Sequence, residues 1–377
     1  MSLDTIATGS ALPPLDDARR QIEICNACRY CEGYCSVFPA MMRGKVFSDA
    51  DMLHLANLCH NCRGCYYSCQ YTPPHEFALN LPAALAEVRQ ASWEQYAVPQ
   101  VFARAFHEKG VPIAFALVGA VALFFAALAA LKPESGAGFY AYLAHSTMVA
   151  VFVPAFLLPL LAIAAGLRRY WRDSGGGAVR LQHVLGAIGS AARLRNLDGG
   201  QGQGCNFERA DRFSDRRRLF HQATMYGFLL CFASTSVATV MHYLLGMEAP
   251  YPFFSLPKLL GLAGGLLLVV GCAGLAWLKT KADPSLGDRR VWGGEMAFVL
   301  LLGFVGASGL ALYAATGTGL VGALLAIHLG AVMTFFLLMP YSKMVHGFFR
   351  LAALVSEEGR QPESRAQVGA RKKSLRS

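Results

Sequence analysis

Charge is scarce in this sequence. Only 15% of its 377 residues are Asp, Glu, Lys or Arg, against 54% hydrophobic residues and a mean hydropathy of +0.37. A water-soluble fold cannot cover itself with so little polar surface, which excludes an ordinary soluble domain. The opening residues, MSLDTIATGSALPPLDDARR, have neither a basic start nor an apolar core. No secretory signal is therefore expected, and the N-terminal region is expected to stay in the cytoplasm. The first hundred residues lack the alternating pattern of strands, which points to helices there. Carboxylates are missing from the interiors of the apolar runs and no inverted repeat is visible, which argues against a transporter.

What the chain has instead is long apolar runs. Four lie at about 111–131, 147–167, 258–278 and 293–315, and two more, at about 221–245 and 320–346, carry histidine near both ends. Each is close to the roughly 20 residues needed to cross a bilayer, giving six spans. The net charge of +10 is unevenly placed: residues 168–218 hold eleven arginines, and 279–290 and the tail after Lys343 are also basic. With six spans and an inside N-terminus, all three basic segments fall on the cytoplasmic side, as the positive-inside rule requires. Topology thus accounts for the charge, and no nucleic-acid partner is expected.

Eight cysteines form two runs of identical spacing, C-x2-C-x2-C-x3-C: Cys25, Cys28, Cys31, Cys35, then Cys59, Cys62, Cys65, Cys69. In a reducing compartment such clusters bind metal rather than pair as disulfides. The spacing suits cubane iron–sulfur clusters, in which the fourth cysteine of each run reaches the other cluster. Cys25, Cys28, Cys31 and Cys69 are expected on one 4Fe–4S cluster, and Cys59, Cys62, Cys65 and Cys35 on the second. Zinc is the rival, but its sites use CxxC pairs a dozen or more residues apart. The residue after each fourth cysteine is Ser36 or Gln70, where bacterial ferredoxins have proline. Between the runs, SDADMLHLANLCH reads as a helix capped by Ser48, and HEFALNLPAALAEVRQASWEQYA as another.

Histidines inside spans are costly and point to function, and axial histidine pairs from different helices hold b-type haem. His328 and His346 lie eighteen residues apart, so on one continuous helix both face the same side. His221 then matches His346 in depth at the inner end, and His242 roughly matches His328 at the outer. His145 is expected to be solvated in an outer loop, while His54, His60, His75, His107 and His183 show no partner pattern. Cys231 and Cys272 read as small hydrophobes within spans. Lys258, Glu295 and Lys343 are placed to deliver protons or, more simply, to anchor helix ends at the interface.

These residues carry a resemblance. From about 147 to 350 the chain resembles the cytochrome b subunit of respiratory nitrate reductases. IHLGAVMTFFLLMPYSKMVH is similar to that family's last helix, with His328 and His346 on two haem histidines, and RLFHQ sets His221 on a third. The fourth falls at Cys231, so either His242 stands in or the outer haem is absent. The cysteine half looks like the all-α ferredoxin domains of succinate dehydrogenase and heterodisulfide reductase subunits. Nearly all of residues 20–350 resembles the tricarballylate/citrate utilisation protein B family, chiefly through CNACRYCEGYC, CHNCRGCYYSCQYTPPHEFALNLP and GGQGQGCNFERADRFSDRRRLFHQ.

The resemblance implies the electron-transfer component of a flavoprotein:quinone oxidoreductase in the bacterial inner membrane. A soluble flavoprotein dehydrogenase, tricarballylate dehydrogenase, would be the donor and membrane quinone the acceptor, with one or two haems b. Service to cobalamin ring contraction, to disulfide reduction or to another flavoprotein, or a cluster-regulated transporter, are the rivals. The expected fold is all-α, with a two-cluster ferredoxin-like domain before a six-helix transmembrane bundle. The expected divisions are a flexible 1–20, the cluster domain 21–100, two spans in 101–170 and a basic Gly-rich loop 171–218. A four-helix haem domain follows at 219–350, then a basic cytoplasmic tail at 351–377. The glycines near 199–204 would allow close backbone approach, but no strand precedes them to make a dinucleotide site.

Overall fold

The computed structural model describes residues 14–131, 138–199, 202–208 and 212–374, and within these the fold is all-helical, with no strand longer than an isolated bridge. Five helices build the N-terminal domain: α1 (Pro14–Cys28), α2 (Val37–Met41), α3 (Asp49–Leu58), α4 (Gly64–Tyr67) and α5 (Leu81–Tyr96). Ser48 caps α3 as its sequence predicts, accepting from the Asp51 amide at 3.3 Å while Asp51 accepts from the Ser48 amide at 3.0 Å. α5 begins later than its sequence suggests. Asn80 accepts from the Ala83 amide and fixes the start at Leu81, leaving residues 75–80 in turns. The region expected to be flexible up to residue 20 is already helical from Pro14, with Leu15, Ala18 and Ile22 buried.

Six helices are long and apolar enough to cross a membrane: α6 (Gln100–Leu131), α7 (His145–Asp173), α9 (Arg216–Leu245), α10 (Leu256–Lys281), α11 (Trp292–Ala314) and α12 (Val321–Leu338). Between them, α8 (Leu181–Ala192) occupies part of the segment expected to be a loop. The last apolar run is not one helix. Pro340 has no amide to donate and closes α12, turns follow through Met344, and α13 (Val345–Ser374) starts afresh. His328 and His346 therefore sit on different helices.

α13 is also the largest departure from expectation. The presumed tail continues as a helix into the N-terminal domain, where Ala353, Leu354 and Val355 share a core with Leu15, Ile22, Met52 and Leu85. Tyr96, Tyr170 and Phe349 close the junction between the two halves, with ring centres 5.1–6.1 Å apart.

α9 makes its close backbone approach to α10, and reaches α7 and α12 through rings: Phe232 to Phe156 at 6.2 Å and Phe228 to Phe335 at 5.6 Å. The approach to α10 depends on Gly227, where a Cβ would lie 2.5 Å from the Leu268 amide nitrogen. Gly227→Val is expected to cost about 1–3 kcal/mol by forcing the two helices apart. A lower thermal midpoint in detergent would show it, and an unchanged midpoint would refute it.

Candidate metal centre

Burial and short loops bring the eight cysteines together by fours. Cys25, Cys28, Cys31, Cys65 and Cys69 line one cavity of about 200 Å³. Cys35, Cys59, Cys62 and Cys65 line a smaller adjoining one. Cys69 of the second run thus joins Cys25, Cys28 and Cys31, Cys35 of the first run joins Cys59 and Cys62, and Cys65 is common to both cavities. The turns are tight: Arg29, Asn61 and Arg63 adopt left-handed backbone conformations (φ 58°, 52° and 68°) beside the cysteines. Amides point inward at sulfur, Asn61 N to Cys59 Sγ and Tyr71 N to Cys69 Sγ, both at 3.4 Å.

Burial pushes the Cys25 and Cys31 thiols up to about 12, with neighbouring cysteines, Cys69 first, adding to the effect. Cys35 and Cys65 rise well above the usual thiol value for the same reason, with Cys62 their strongest cysteine neighbour. Thiolates gathered in this way need positive charge among them. Among the described residues, no three metal-binding side chains converge closely enough to hold a single ion.

The second group is flanked by the basic Gly-rich loop, whose Leu194, Leu197, Cys205 and Phe207 pack with Cys62. Asn206 donates its amide to the Cys62 carbonyl at 3.0 Å, and Cys205, buried, donates to the Leu197 carbonyl. Arg63 and Arg217 lie over the Phe207 ring at 4.5 and 4.2 Å. Gly204, at φ +91°, has no room for a side chain because a Cβ would meet the Ser214 carbonyl at 2.4 Å.

The histidines divide. His221 and His346 face each other with ring centres 5.9 Å apart and planes at 84°. Two imidazoles bound at about 2 Å on opposite sides of one metal have ring centres roughly 6 Å apart, so the pair fits an axially ligated haem. His346 Nδ1 donates to the Lys343 carbonyl, which leaves Nε2 free to bind metal. His221 Nδ1 is buried without a partner. His242 does not meet His328. It stacks on His145 at 4.3 Å and 27°, which leaves no room for a metal between the rings. His145 is thus the first residue of α7 and engaged, not loose in a solvated loop. His328 is hydrogen-bonded with Ser308 Oγ at 3.0 Å. Cys231 faces α10, its sulfur 2.9 Å from where a Gly264 Cβ would be. His221 and His346 thus have the ring separation of an axial pair, whereas His242 stacks on His145 and His328 hydrogen-bonds with Ser308.

The remaining ionisable candidates all have partners. Glu295 is held by Lys279 and, at 2.6 Å, by Lys343, while Lys258 lies over the Tyr313 ring. His54, which showed no partner pattern in sequence, sits 3.2 Å from Glu357 of α13. His107 pairs with Glu94 at 3.0 Å.

A family model described as the Citrate utilization protein B Fer4-like domain matches residues 18–105, and one described as Citrate utilization protein B matches 109–368. The Citrate utilization protein B of Escherichia coli is 46% identical over 347 residues, covering 91% of each chain. No solved structure matches.

Proposed function

The chain belongs to the Citrate utilization protein B family, and from that premise we propose that it is a membrane electron-transfer protein. It reoxidises a reduced flavoprotein dehydrogenase, tricarballylate dehydrogenase in the closest reading, and delivers the electrons to the quinone pool of the cytoplasmic membrane. The cysteine groups and the α13 helix lie on the cytoplasmic side, where the basic segments place them.

One observation carries this reading: two adjoining cysteine groups lie next to a half-buried histidine pair at the end of the membrane helices. Cys25, Cys28, Cys31 and Cys69 would hold one 4Fe–4S cluster and Cys35, Cys59, Cys62 and Cys65 the other. His221 and His346 would hold one haem b. Such groups exchange single electrons, so a two-electron flavin can be emptied in two steps. The protein's own part is to position them: Cys65 borders both cavities, and Arg350 spans one turn from His346 to the Cys59 carbonyl, at 3.0 Å. No side chain is required to act as acid, base or nucleophile on an organic substrate.

The test is chemical analysis of the detergent-purified protein. About eight acid-labile sulfides per chain and a b-type band in the reduced-minus-oxidised spectrum are expected. His221→Ala and His346→Ala should each abolish the band and leave the sulfide in place. Sulfide without any haem in the unaltered protein would refute the haem part of the relay.

A further inference from the structure

Three arginines from distant parts of the chain converge on the backbone that carries Cys59. Arg89 of α5 donates to the Ala56 and Cys59 carbonyls at 3.2 and 2.9 Å. Arg350 of α13 donates to the Cys59 carbonyl at 3.0 Å. Arg217, at the start of α9, donates to the His60 and Asn61 carbonyls at 3.0 and 2.5 Å. Among the described residues, none of the three has a carboxylate within ion-pair distance. Arg350 Nε is buried with no partner at all. Guanidinium does not give up its proton in a protein, so the positive charge stays. Cations crowded in this way need an anion nearby.

The first cysteine group has a different setting. No charged residue lines its cavity, which is walled by Tyr30, Phe38, Tyr66, Tyr71 and small polar groups. The two groups share ligand type and spacing, and both receive amide hydrogen bonds to sulfur, with Cys35 and Cys62 of the second group also among the acceptors. They differ in the arginine collar.

We infer that Arg217 and Arg350 tune the relay by raising the reduction potential of the centre held by Cys35, Cys59, Cys62 and Cys65. This rests on the reading of the cysteine groups as 4Fe–4S centres. Reduction adds one negative charge to a centre that is already anionic, and fixed cations in a medium of low dielectric favour the reduced form. For each electron that crosses, the Cys25 centre is oxidised by one electron and the Cys59 centre reduced by one, with no bond made or broken. The collar therefore biases transfer toward the membrane. Because Arg217 and Arg350 come from the two helices that carry His221 and His346, the residues that attract the electron also mark where it leaves.

The experiment is a redox titration of the full-length protein in detergent, followed by electron paramagnetic resonance. Unaltered protein is compared with Arg217→Gln, Arg350→Gln and Arg350→Lys. In each glutamine variant one of the two centres should shift to a more negative potential while the other stays in place. Arg350→Lys, which keeps the charge, should recover most of the shift, whereas a purely structural role would make lysine and glutamine behave alike. Should Arg350→Gln prove too unstable to titrate, Arg217→Gln and Arg350→Lys carry the comparison. Unmoved potentials in Arg217→Gln and Arg350→Gln, with iron and sulfide intact, overturn the inference and leave the cluster reading standing. Absence of acid-labile sulfide in the unaltered protein removes the cluster reading itself.

Discussion

Cys69→Ser is expected to remove the iron–sulfur centre of the first cysteine run, although Cys69 belongs to the second. Cys69 lines the same cavity as Cys25, Cys28 and Cys31, and it is the strongest cysteine neighbour of both Cys25 and Cys31. The variant should lose about four of about eight irons. Its surviving paramagnetic signal should match that of Cys28→Ser and differ from that of Cys62→Ser. A signal matching Cys62→Ser would mean that each run binds its own cluster, and the exchange of fourth ligands would be wrong. Cys35→Ser gives the reciprocal test, because Cys35 lines the cavity of Cys59, Cys62 and Cys65.

The second large effect is expected at Arg43. Its guanidinium grips Glu357 with two hydrogen bonds, Nη1 to Oε1 at 2.7 Å and Nη2 to Oε2 at 2.5 Å, and His54 Nε2 lies 3.2 Å from Oε2. The Glu357 side chain is only 3% exposed. Arg43→Ala would strand that carboxylate with a single partner, at a cost of about 3–5 kcal/mol. A fall in thermal midpoint, with earlier proteolytic cleavage in α13, would report it. An unchanged midpoint would show that the pair holds nothing together.

The same group predicts how this contact responds to acid. Burial alone would raise the Glu357 carboxyl, but the hydrogen bonds from His54 and Arg43 outweigh it and hold the group at about 2 against an ordinary 4.5. Its folded value is depressed, so its contribution is complete above about pH 4.5 and fades as the pH falls toward 2. Burial lowers His54 below its ordinary 6.5, with Glu357 partly opposing. Keeping that ring neutral therefore begins to weaken the fold as the pH drops below 6.5. Docking of α13 should loosen monotonically on acidification, beginning near pH 6.5. In His54→Gln the onset should move down toward pH 4.5, as followed by proteolysis of α13.

Much of this was legible in the residues themselves. Cysteine spacing is a local signal, and it led to the two groups of four without knowledge of the fold. The spans announce themselves by length and hydropathy, and the Ser48 cap by three residues of context. His221 and His346 could be paired because the expected topology sets the start of one apolar run and the end of another at the same membrane face. What stayed hidden depends on contacts between remote segments. Nothing near Glu357 signals Arg43 or His54, and nothing in residues 351–361 themselves says that Ala353, Leu354 and Val355 join a core begun at Leu15. The role of the Gly-rich loop around Cys205 is hidden because its partners, Cys62 and Arg63, lie over 140 residues earlier. The break at Pro340 was visible, but the matched histidine spacing around it suggested a continuous helix.

The Arg43–Glu357 contact joins residues 314 positions apart, and this separation orders events at the ribosome. At roughly 5–20 residues per second, the partner of Arg43 is synthesised about 15–60 s after Arg43 itself. Throughout that interval the N-terminal domain lacks Ala353, Leu354 and Val355, which complete the core that Leu15 and Ile22 begin. Completion of the chain, and not folding of its first hundred residues, is then the event that finishes the N-terminal core.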